Sequence, residues 1–493
     1  TMKSLNNIIE HLSIDFTLHG NDQIVIANVT QKVEEVTLNS LFFAVKGLSV
    51  DGHDFILKAI QNGATCVVCQ QIPPNISQDI TWIVTSNTRS VMGPICGAFF
   101  DFPSLKLNLV GVTGTNGKSS VATMLFQLFT HVGHECGLIA TTGYVIGEKQ
   151  YDSTHTTPDP IRLNQLLAEM VQANCTHVFM EVSSIAVDQG RINGLHFKGA
   201  VFTNITHDHL DYHLTFANYI KAKKTWFDNL GHDAFALVNS DDKNGSVMLQ
   251  NCNAARYTYA LQKMADFTVQ ILEKDFEGML LKVANHEIWV KQVGKFNAYN
   301  LAAVYGTAFL MGMPEDQIVV GLSTLHGAKG RFEMMRHLFP KTKITGILDY
   351  AHTPDALKNV LLTTNDIRTG NEKLIVVLGC GGDRDKAKRP LMGEIAAKLA
   401  DVFVLTSDNP RSENPETIMS EVEAGIHPLH VKKVLKITDR KQAIHAAVAI
   451  ANPGDVILVA GKGHENYQEV NGHKLHFDDK EVFLNALHLR SDS

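Results

Sequence analysis

The chain has 493 residues, 44% of them hydrophobic, and a formal net charge of −7. At roughly 150 residues per domain this length suggests about three domains, each with its own core. The acidic balance and the lack of any basic run of five argue against nucleic acid as a partner. No stretch nears the ~20 apolar residues of a membrane helix, and the start lacks a signal-peptide core, so a cytoplasmic protein without membrane insertion is expected.

In chain order, Ile24–Val29, Ser40–Val45 and Thr65–Val68 read as strands and Phe55–Asn62 as a helix. Phe100 to Ser104 reads as the linker out of this region. Seven cysteines, an odd number with irregular spacing, fit a reducing compartment rather than a disulfide framework. Cys66 and Cys69 have a redox-motif spacing, but they lie in an apolar run that reads as a buried strand, with no second Cys or His pair at zinc spacing. The middle region alternates strand and helix. Strands are expected at Leu107–Val112, Thr176–Glu181, Gly199–Asn204 and Ala234–Asn239, with helices at Lys118 to about Thr130, Ile161–Ala173, Phe216–Leu230 and Phe296–Met311. This alternation implies a mostly parallel sheet covered on both faces. The last region repeats it, with strands at Ile344–Asp349, Leu374–Leu378, Val402–Leu405 and Val456–Ala460 and helices at Asp355–Leu362, Pro390–Ala400, Pro415–Ala424 and Arg440–Ala449. The fold class is therefore α/β, in three domains placed at 1–104, 105–335 and 336–493, the last of them Rossmann-like. Ligands bind at the carboxyl ends of such strands, which puts the expected site in a cleft between the second and third domains.

Gly111-Val112-Thr113-Gly114-Thr115-Asn116-Gly117-Lys118-Ser119-Ser120 stands between a strand and a helix. Glycines let backbone N–H groups converge on phosphate oxygens, and the helix N-terminus adds its partial positive charge. Lys118 is placed to neutralise β/γ-phosphates and the Ser119 hydroxyl to bind Mg²⁺. The generic motif has Gly where this chain has Val112. Glu181 ends a strand, a suitable place for a metal carboxylate. After the next strand, His207-Asp208-His209-Leu210-Asp211-Tyr212-His213 packs three His and two Asp into seven residues. A solvated polar loop is the plain alternative there. Tyr219-Ile220-Lys221-Ala222-Lys223-Lys224 follows in a helix, where a cationic surface face is the plain alternative.

Together these residues resemble the Mur ligase family. The phosphate loop, Glu181-Val182-Ser183-Ser184, His209-Leu210-Asp211, Tyr219-x-x-Ala222-Lys223, Phe296-Asn297-x-x-Asn300, Gly330-Arg331-Phe332-Glu333 and Asp349-Tyr350-Ala351-His352-x-Pro354-Asp355 occur in family order. The diaminopimelate-adding branch is resembled through Thr156-Thr157-Pro158-Asp159-Pro160, Gly382 to Lys386 with Lys388-Arg389-Pro390, Asp408-Asn409-Pro410-Arg411 and Gly461-Lys462-Gly463-His464-Glu465. The resemblance departs in the first domain, where Val29-Thr30-Gln31 replaces Asp-Ser-Arg and Asn39-Ser40-Leu41-Phe42 replaces Gly-Asp-Leu-Phe. His155 stands where Asn often precedes the two threonines.

The resemblance implies a UDP-binding first domain, a central P-loop ATPase and a third domain that presents the amino acid. It implies ATP-dependent ligation of meso-2,6-diaminopimelate to the D-glutamate side-chain carboxylate of UDP-N-acetylmuramoyl-L-alanyl-D-glutamate, through an acyl phosphate, in peptidoglycan synthesis. L-lysine in place of diaminopimelate, or a folylpolyglutamate synthetase-type reaction, is the alternative, and a nucleotide-dependent switch is the rival from another class. Lys223 would carry CO₂ as a carbamate and hold one Mg²⁺ with His209, while Ser119 and Glu181 hold another; Lys118, Lys223 and His209 would form the catalytic set. ATP would meet Gly114, Thr115, Asn116, Gly117, Lys118, Ser119, Ser120, Asn297, Asn300, Arg331, Asp349 and His352. The UDP-substrate would meet Thr30, Thr156, Thr157, Ser183, Gln189 and Arg191. The amino acid would meet Arg389, Asp408, Asn409, Pro410, Arg411, Gly461 and Glu465. Arg411 suits the distal carboxylate by chemistry, being planar and always charged. A monomer is expected.

Overall fold

The structure, a computed structural model, describes all residues except 1, 11, 48–49, 75–78, 154, 207, 209, 336–342 and 492–493. Among the described residues the strands form three main sheets. In the first, the order is Thr17–His19, Thr81–Val84, Ala64–Cys69, Ser40–Phe43, Asn28–Thr30, parallel except at the Thr17–His19 edge. Cys66 and Cys69 sit inside it as free, buried thiols, as the apolar run implied. The chain leaves through Pro103–Lys106, a single 3₁₀ turn.

The second sheet centres on Asn108–Thr113, flanked by His177–Glu181 and Gly199–Phe202. From Cys136–Ala140 across to Phe267–Lys274 every pairing is parallel. Val112 is in register with both Glu181 and Val201, so the loops after these three strands open side by side. Antiparallel strands extend both ends, Gly143–Ile146 and Lys149–Tyr151 on one and Met279–Val283 and His286–Val290 on the other.

The third sheet runs Glu333–Met334, Thr345–Asp349, Val456–Ala460, Leu374–Leu378, Val402–Leu405, Val434–Lys436. Ala460 is in register with Asp349 on one side and Leu378 on the other. The strand order reverses there, so the loops after residues 349, 378, 405 and 460 share one edge, the position where doubly wound sheets bind ligands. Helix Asp355–Leu362 is longer than its sequence signal, running Pro354–Ile367 with Thr353 as N-cap.

Helix Phe216–Asp228 shows why one lysine of three is special. Tyr219, Ala222, Lys223, Trp226 and Phe227 are buried, the i, i+3, i+4, i+7, i+8 stripe of a core-facing helix. Lys223 occupies a stripe position. Lys221 is exposed, and Lys224 pairs with Asp228 one turn on at 2.5 Å.

Candidate functional site

The phosphate loop is shaped by two glycines. Gly117 adopts φ 89°, and a Cβ there would stand 2.5 Å from Asn300 Oδ1. At Gly114, φ 151°, a Cβ would stand 1.9 Å from Thr203 Oγ1. The loop is held from the next strand end. Thr115 N–H donates to the Asn204 carbonyl (2.8 Å), Asn116 N–H donates to Asn204 Oδ1 (2.9 Å) and Thr203 Oγ1 donates to the Asn116 carbonyl (2.6 Å). Asn297 and Asn300 back the loop from helix Lys295–Leu310, Asn300 Nδ2 donating to Asn297 Oδ1 at 3.1 Å. Ser119 and Ser120 are buried in the first turn of helix Lys118–His131.

A half-buried lysine and a fully buried one meet here. Lys118 Nζ donates to the Gly114 and Thr115 carbonyls at 2.9 Å each. Lys223 Nζ donates to Thr113 Oγ1 and the Gly114 carbonyl at 3.2 Å each. Burial lowers the Lys118 pKa against the opposing pull of Glu181 and Asp208. Burial, then repulsion from Lys118, pushes Lys223 far below the ordinary lysine range, with Asp208 opposing. Glu181 is 1% exposed and accepts from Thr141 N–H at 2.7 Å. His209, expected as a metal ligand, lies outside the described residues.

The residues expected at the UDP-substrate, apart from Thr30, form one network. Thr157 Oγ1 donates to the Glu181 carbonyl (2.8 Å) and accepts from Ser183 N–H (3.1 Å). Arg191 donates to the Thr157 carbonyl (2.7 Å) and twice to Gln189 Oε1. Thr156 accepts from Thr141 Oγ1 at 3.0 Å, and Ser183 caps helix Ser184–Asp188. Thr30 belongs to a separate turn, where its hydroxyl donates to Glu35 Oε2 at 3.2 Å.

The third domain, whose sheet takes in Glu333–Met334 and so begins before residue 336, reaches the phosphate loop. Arg331 donates to Ser119 Oγ at 3.3 Å and stacks over Tyr350, 4.5 Å from the ring centroid. Asn116 Nδ2 donates to Asp355 Oδ2 at 3.3 Å. Asp349 fixes the turn below, accepting from Phe332 and Ala351 N–H at 2.7 Å each. Burial raises its pKa to about 6, with Arg331 opposing. Burial lowers His352 to about 4, so its ring is neutral at pH 7; its Nδ1 lies 3.0 Å from the Tyr350 carbonyl.

The loops expected at the amino acid also converge. Gly461 adopts φ 112°, and a Cβ there would lie 2.6 Å from Asp408 Oδ2. Glu465 Oε2 accepts from Asn409 Nδ2 at 2.9 Å. Burial and the neighbouring Asp408 raise the Glu465 pKa. Two residues differ in their partners from the expectation. Asn409, expected to meet the amino acid, has its carboxamide committed to the protein. Its oxygen accepts from Lys462 Nζ (3.1 Å) and Glu469 N–H (2.9 Å), while its nitrogen holds Glu465. Arg389, also expected to meet the amino acid, is fully buried and donates to both oxygens of Glu413, to Glu421 and to the Gly381 carbonyl. Its Nε is left without an acceptor among the described residues. The motif shapes the loop through these two residues.

Sequence reasoning missed the buried cations Lys462 and Arg440. Lys462 bonds Asn409, Glu465 and the Tyr467 carbonyl; its place inside a quoted motif was the available signal. Arg440 pairs with Asp479, both fully buried. It also donates to the carbonyls of Ser407 (3.2 Å) and Ala460 (3.0 Å), the residues just before Asp408 and Gly461.

Comparison with known proteins agrees with this geometry. Family models match the Mur ligase family, catalytic domain at residues 25–94, the Mur ligase middle domain at 112–308 and the Mur ligase, glutamate ligase domain at 330–463. A UDP-N-acetylmuramoyl-L-alanyl-D-glutamate–2,6-diaminopimelate ligase of Cytophaga hutchinsonii is 49% identical over 98% of this chain and 99% of its own. One from Bacteroides thetaiotaomicron is 50% identical over 94% and 95%. A solved structure of a ligase of that name superposes with a TM-score of 0.70 at 30% identity, covering 100% of both chains. A MurF ligase from Thermotoga maritima, solved with ADP, shares the fold with a TM-score of 0.62 at 16% identity, over 94% of this chain and 98% of its own. The chain belongs to the Mur ligase family.

Proposed function

We propose that this enzyme joins meso-2,6-diaminopimelate to the D-glutamate side-chain carboxylate of UDP-N-acetylmuramoyl-L-alanyl-D-glutamate at the expense of ATP, in peptidoglycan synthesis. The observation that carries this reading is the reach of the third domain. Arg331 on Ser119 and Asp355 on Asn116 bring the Asp408–Arg411 and Gly461–Glu465 loops to the cleft that the phosphate loop opens into. A carboxylate is a poor acyl donor, because oxide is a poor leaving group. In the proposed path a glutamate carboxylate oxygen attacks the γ-phosphorus and the bond to ADP breaks, giving an acyl phosphate. The diaminopimelate amine then attacks the acyl carbon, the C–O bond breaks, and phosphate departs as the nitrogen loses its proton. Lys118 holds the β/γ-phosphates, and Gly117 to Ser120, at the N-terminus of helix Lys118–His131, offer their N–H groups to phosphate oxygens. Thr156, Thr157, Ser183, Gln189 and Arg191 hold the UDP-muramoyl dipeptide, with Thr30 on the uridine side. Arg411 reads the distal carboxylate of the amino acid.

The donors fit the group implied for Lys223. Carbamate formation needs a neutral amine, and burial beside Lys118 supplies one. The neutral Lys223 nitrogen attacks CO₂ and loses a proton, which turns an uncharged amine into an anionic oxygen ligand. The buried Glu181 carboxylate and Ser119 hydroxyl suit Mg²⁺, a hard cation. When bound, Mg²⁺ spreads the charge on the transferring phosphoryl group. The test is phosphate release with ATP and the UDP-muramoyl dipeptide, comparing meso-diaminopimelate with L-lysine. Equal turnover of the two would end the diaminopimelate assignment, and no release with either would end the ligase reading.

A further inference from the structure

A hairpin of Tyr467–Val470 and His473–His476 follows the Gly461–Glu465 loop and holds the Asp408–Arg411 turn almost residue by residue. Gln468 Nε2 donates to the Asp408 carbonyl (2.6 Å) and to Ser407 Oγ (3.2 Å). Glu469 N–H donates to Asn409 Oδ1 (2.9 Å). Arg411 N–H donates to the Glu469 carbonyl (3.0 Å), and the Arg411 carbonyl accepts from Asn471 N–H (2.7 Å). These bonds hold Arg411 at φ 52°, a left-handed conformation that non-glycine residues seldom adopt. The hairpin thus sets where the guanidinium lies. It also sets what the guanidinium meets: NH1 donates to the Gly382 carbonyl (2.7 Å), and Nε lies 3.5 Å from Glu469 Oε2. Both side chains of this ion pair remain partly exposed, at 19% and 25%.

We propose that Glu469 is a specificity-determining residue of the amino-acid site: a carboxylate of the protein that shares Arg411 with the distal carboxylate of the incoming amino acid. The proposal rests on the reading of Arg411 given above. Glu469 offers the guanidinium the same charge that the ligand would offer. It repels a carboxylate at the chain end and shields a lone ammonium there from Arg411. With Glu469 in place, an amino acid ending in ammonium alone is penalised less than Arg411 by itself would penalise it. Glu469 therefore moderates the selectivity that Arg411 creates.

The test is Glu469→Gln, which removes the charge and leaves the backbone bonds of the hairpin to Asn409 and Arg411. The KM for meso-diaminopimelate should fall about two- to fivefold, the range an exposed ion pair supports. The KM for L-lysine, or its inhibition constant against meso-diaminopimelate where turnover is slow, should rise by a similar factor; the KM for ATP is the internal reference. A diaminopimelate KM that rises or stays constant overturns the proposal. Glu469→Ala, which adds no new donor, must shift both constants in the same directions, and opposite signs from the two variants would show that charge is not the cause. Failure of the ligase reading looks different, because the wild-type enzyme would then release no phosphate with either amino acid.

Discussion

Replacing Arg440 with methionine tests how the amino-acid loops are held. Burial works against the Arg440 charge, and Asp479 overcomes it, so the guanidinium pKa lies above its ordinary value. Its Nε and NH2 bond the two Asp479 oxygens at 2.8 and 2.7 Å. The substitution strands a carboxylate that is 0% exposed, together with the carbonyls of Ser407 and Ala460. Removing one partner of a buried pair costs about 3–5 kcal/mol. At ~2–4 °C per kcal/mol for a domain of this size, the third domain should melt roughly 6–20 °C earlier. The double variant Arg440→Met/Asp479→Leu should recover most of that loss, since no charge is left unpaired. It should not recover amino-acid affinity, because the two carbonyls that fix residues 408 and 461 still lack their donor. The assay is a thermal melt beside the KM for meso-diaminopimelate and for ATP. A single variant within about 1 kcal/mol of wild type, below the range for a broken buried pair, would refute the reasoning. So would a double variant with normal diaminopimelate KM.

Lys223→Ala should be nearly inactive and regain part of its turnover with short carboxylic acids, which can offer the missing oxygen ligand; lack of rescue, with no effect of bicarbonate depletion on wild type, would count against the carbamate. Gly461→Ala places a methyl group 2.6 Å from Asp408 Oδ2 at φ 112°. With strain of about 1–3 kcal/mol, the KM for the amino acid should rise roughly tenfold while that for ATP moves little, and parallel changes in both would argue for general damage. Hydrogen bonds from Arg389 and the Asp383 N–H hold Glu413 at about 2 against an ordinary 4.5. The unfolded chain binds more protons between these values, so this contribution is present above pH 4.5 and is lost as pH falls toward 2. Glu413→Gln should flatten that part of an acid melt, and an unchanged acid limb would refute the link.

The phosphate loop and the strand-end motifs were legible because their chemistry restricts residue types at fixed spacing. Lys223 was legible through the resemblance, although its register also carried the signal, since Tyr219, Ala222, Trp226 and Phe227 mark the buried stripe around it. Arg440 was not. Locally it is the first residue of an amphipathic helix capped by Asp439, and its partner Asp479 lies 39 residues away. Helix Thr88–Phe99 was also missed, because Gly93, Pro94 and Gly97 read as loop signals. Tertiary contacts override them: Asn193 Nδ2 donates to the Ser90 carbonyl, which Pro94 cannot serve, and Gly93 gives the Asn193 backbone room to approach. Strand Phe267–Lys274 is a different case. Phe267 and Val269 are buried while Thr268 and Gln270 are exposed, so the two-residue period was present to be read. The hairpin at residues 467–476 carries no such period, because none of its strand residues is buried.

One chain of contacts joins the phosphate loop to the amino-acid loops. Ser119 accepts from Arg331, Arg331 stacks on Tyr350, Tyr350 OH donates to Glu465 Oε1 at 3.4 Å, and Glu465 holds Asn409. Its link to the phosphate loop is a 3.3 Å bond from the Arg331 guanidinium to a neutral hydroxyl, and the neighbouring bond from the Asn116 amide to the Asp355 carboxylate likewise has one charged partner. Such bonds are worth about 1.5–3 kcal/mol each. A polyphosphate bound to the loop draws on Lys118 from the second domain and Arg331 from the third, and attraction of one multiply charged anion to two partly buried cations exceeds what two bonds between a charged and a neutral group supply. Nucleotide should therefore fix Arg331, and through Tyr350 and Glu465 the geometry of Asn409, before the amino acid arrives. Calorimetric titration of meso-diaminopimelate with and without ADP reads this directly. Tighter binding with ADP in wild type, lost in Tyr350→Ala, is the expected pattern. Equal affinity under both conditions would mean that the two loops are occupied independently despite the contacts between them.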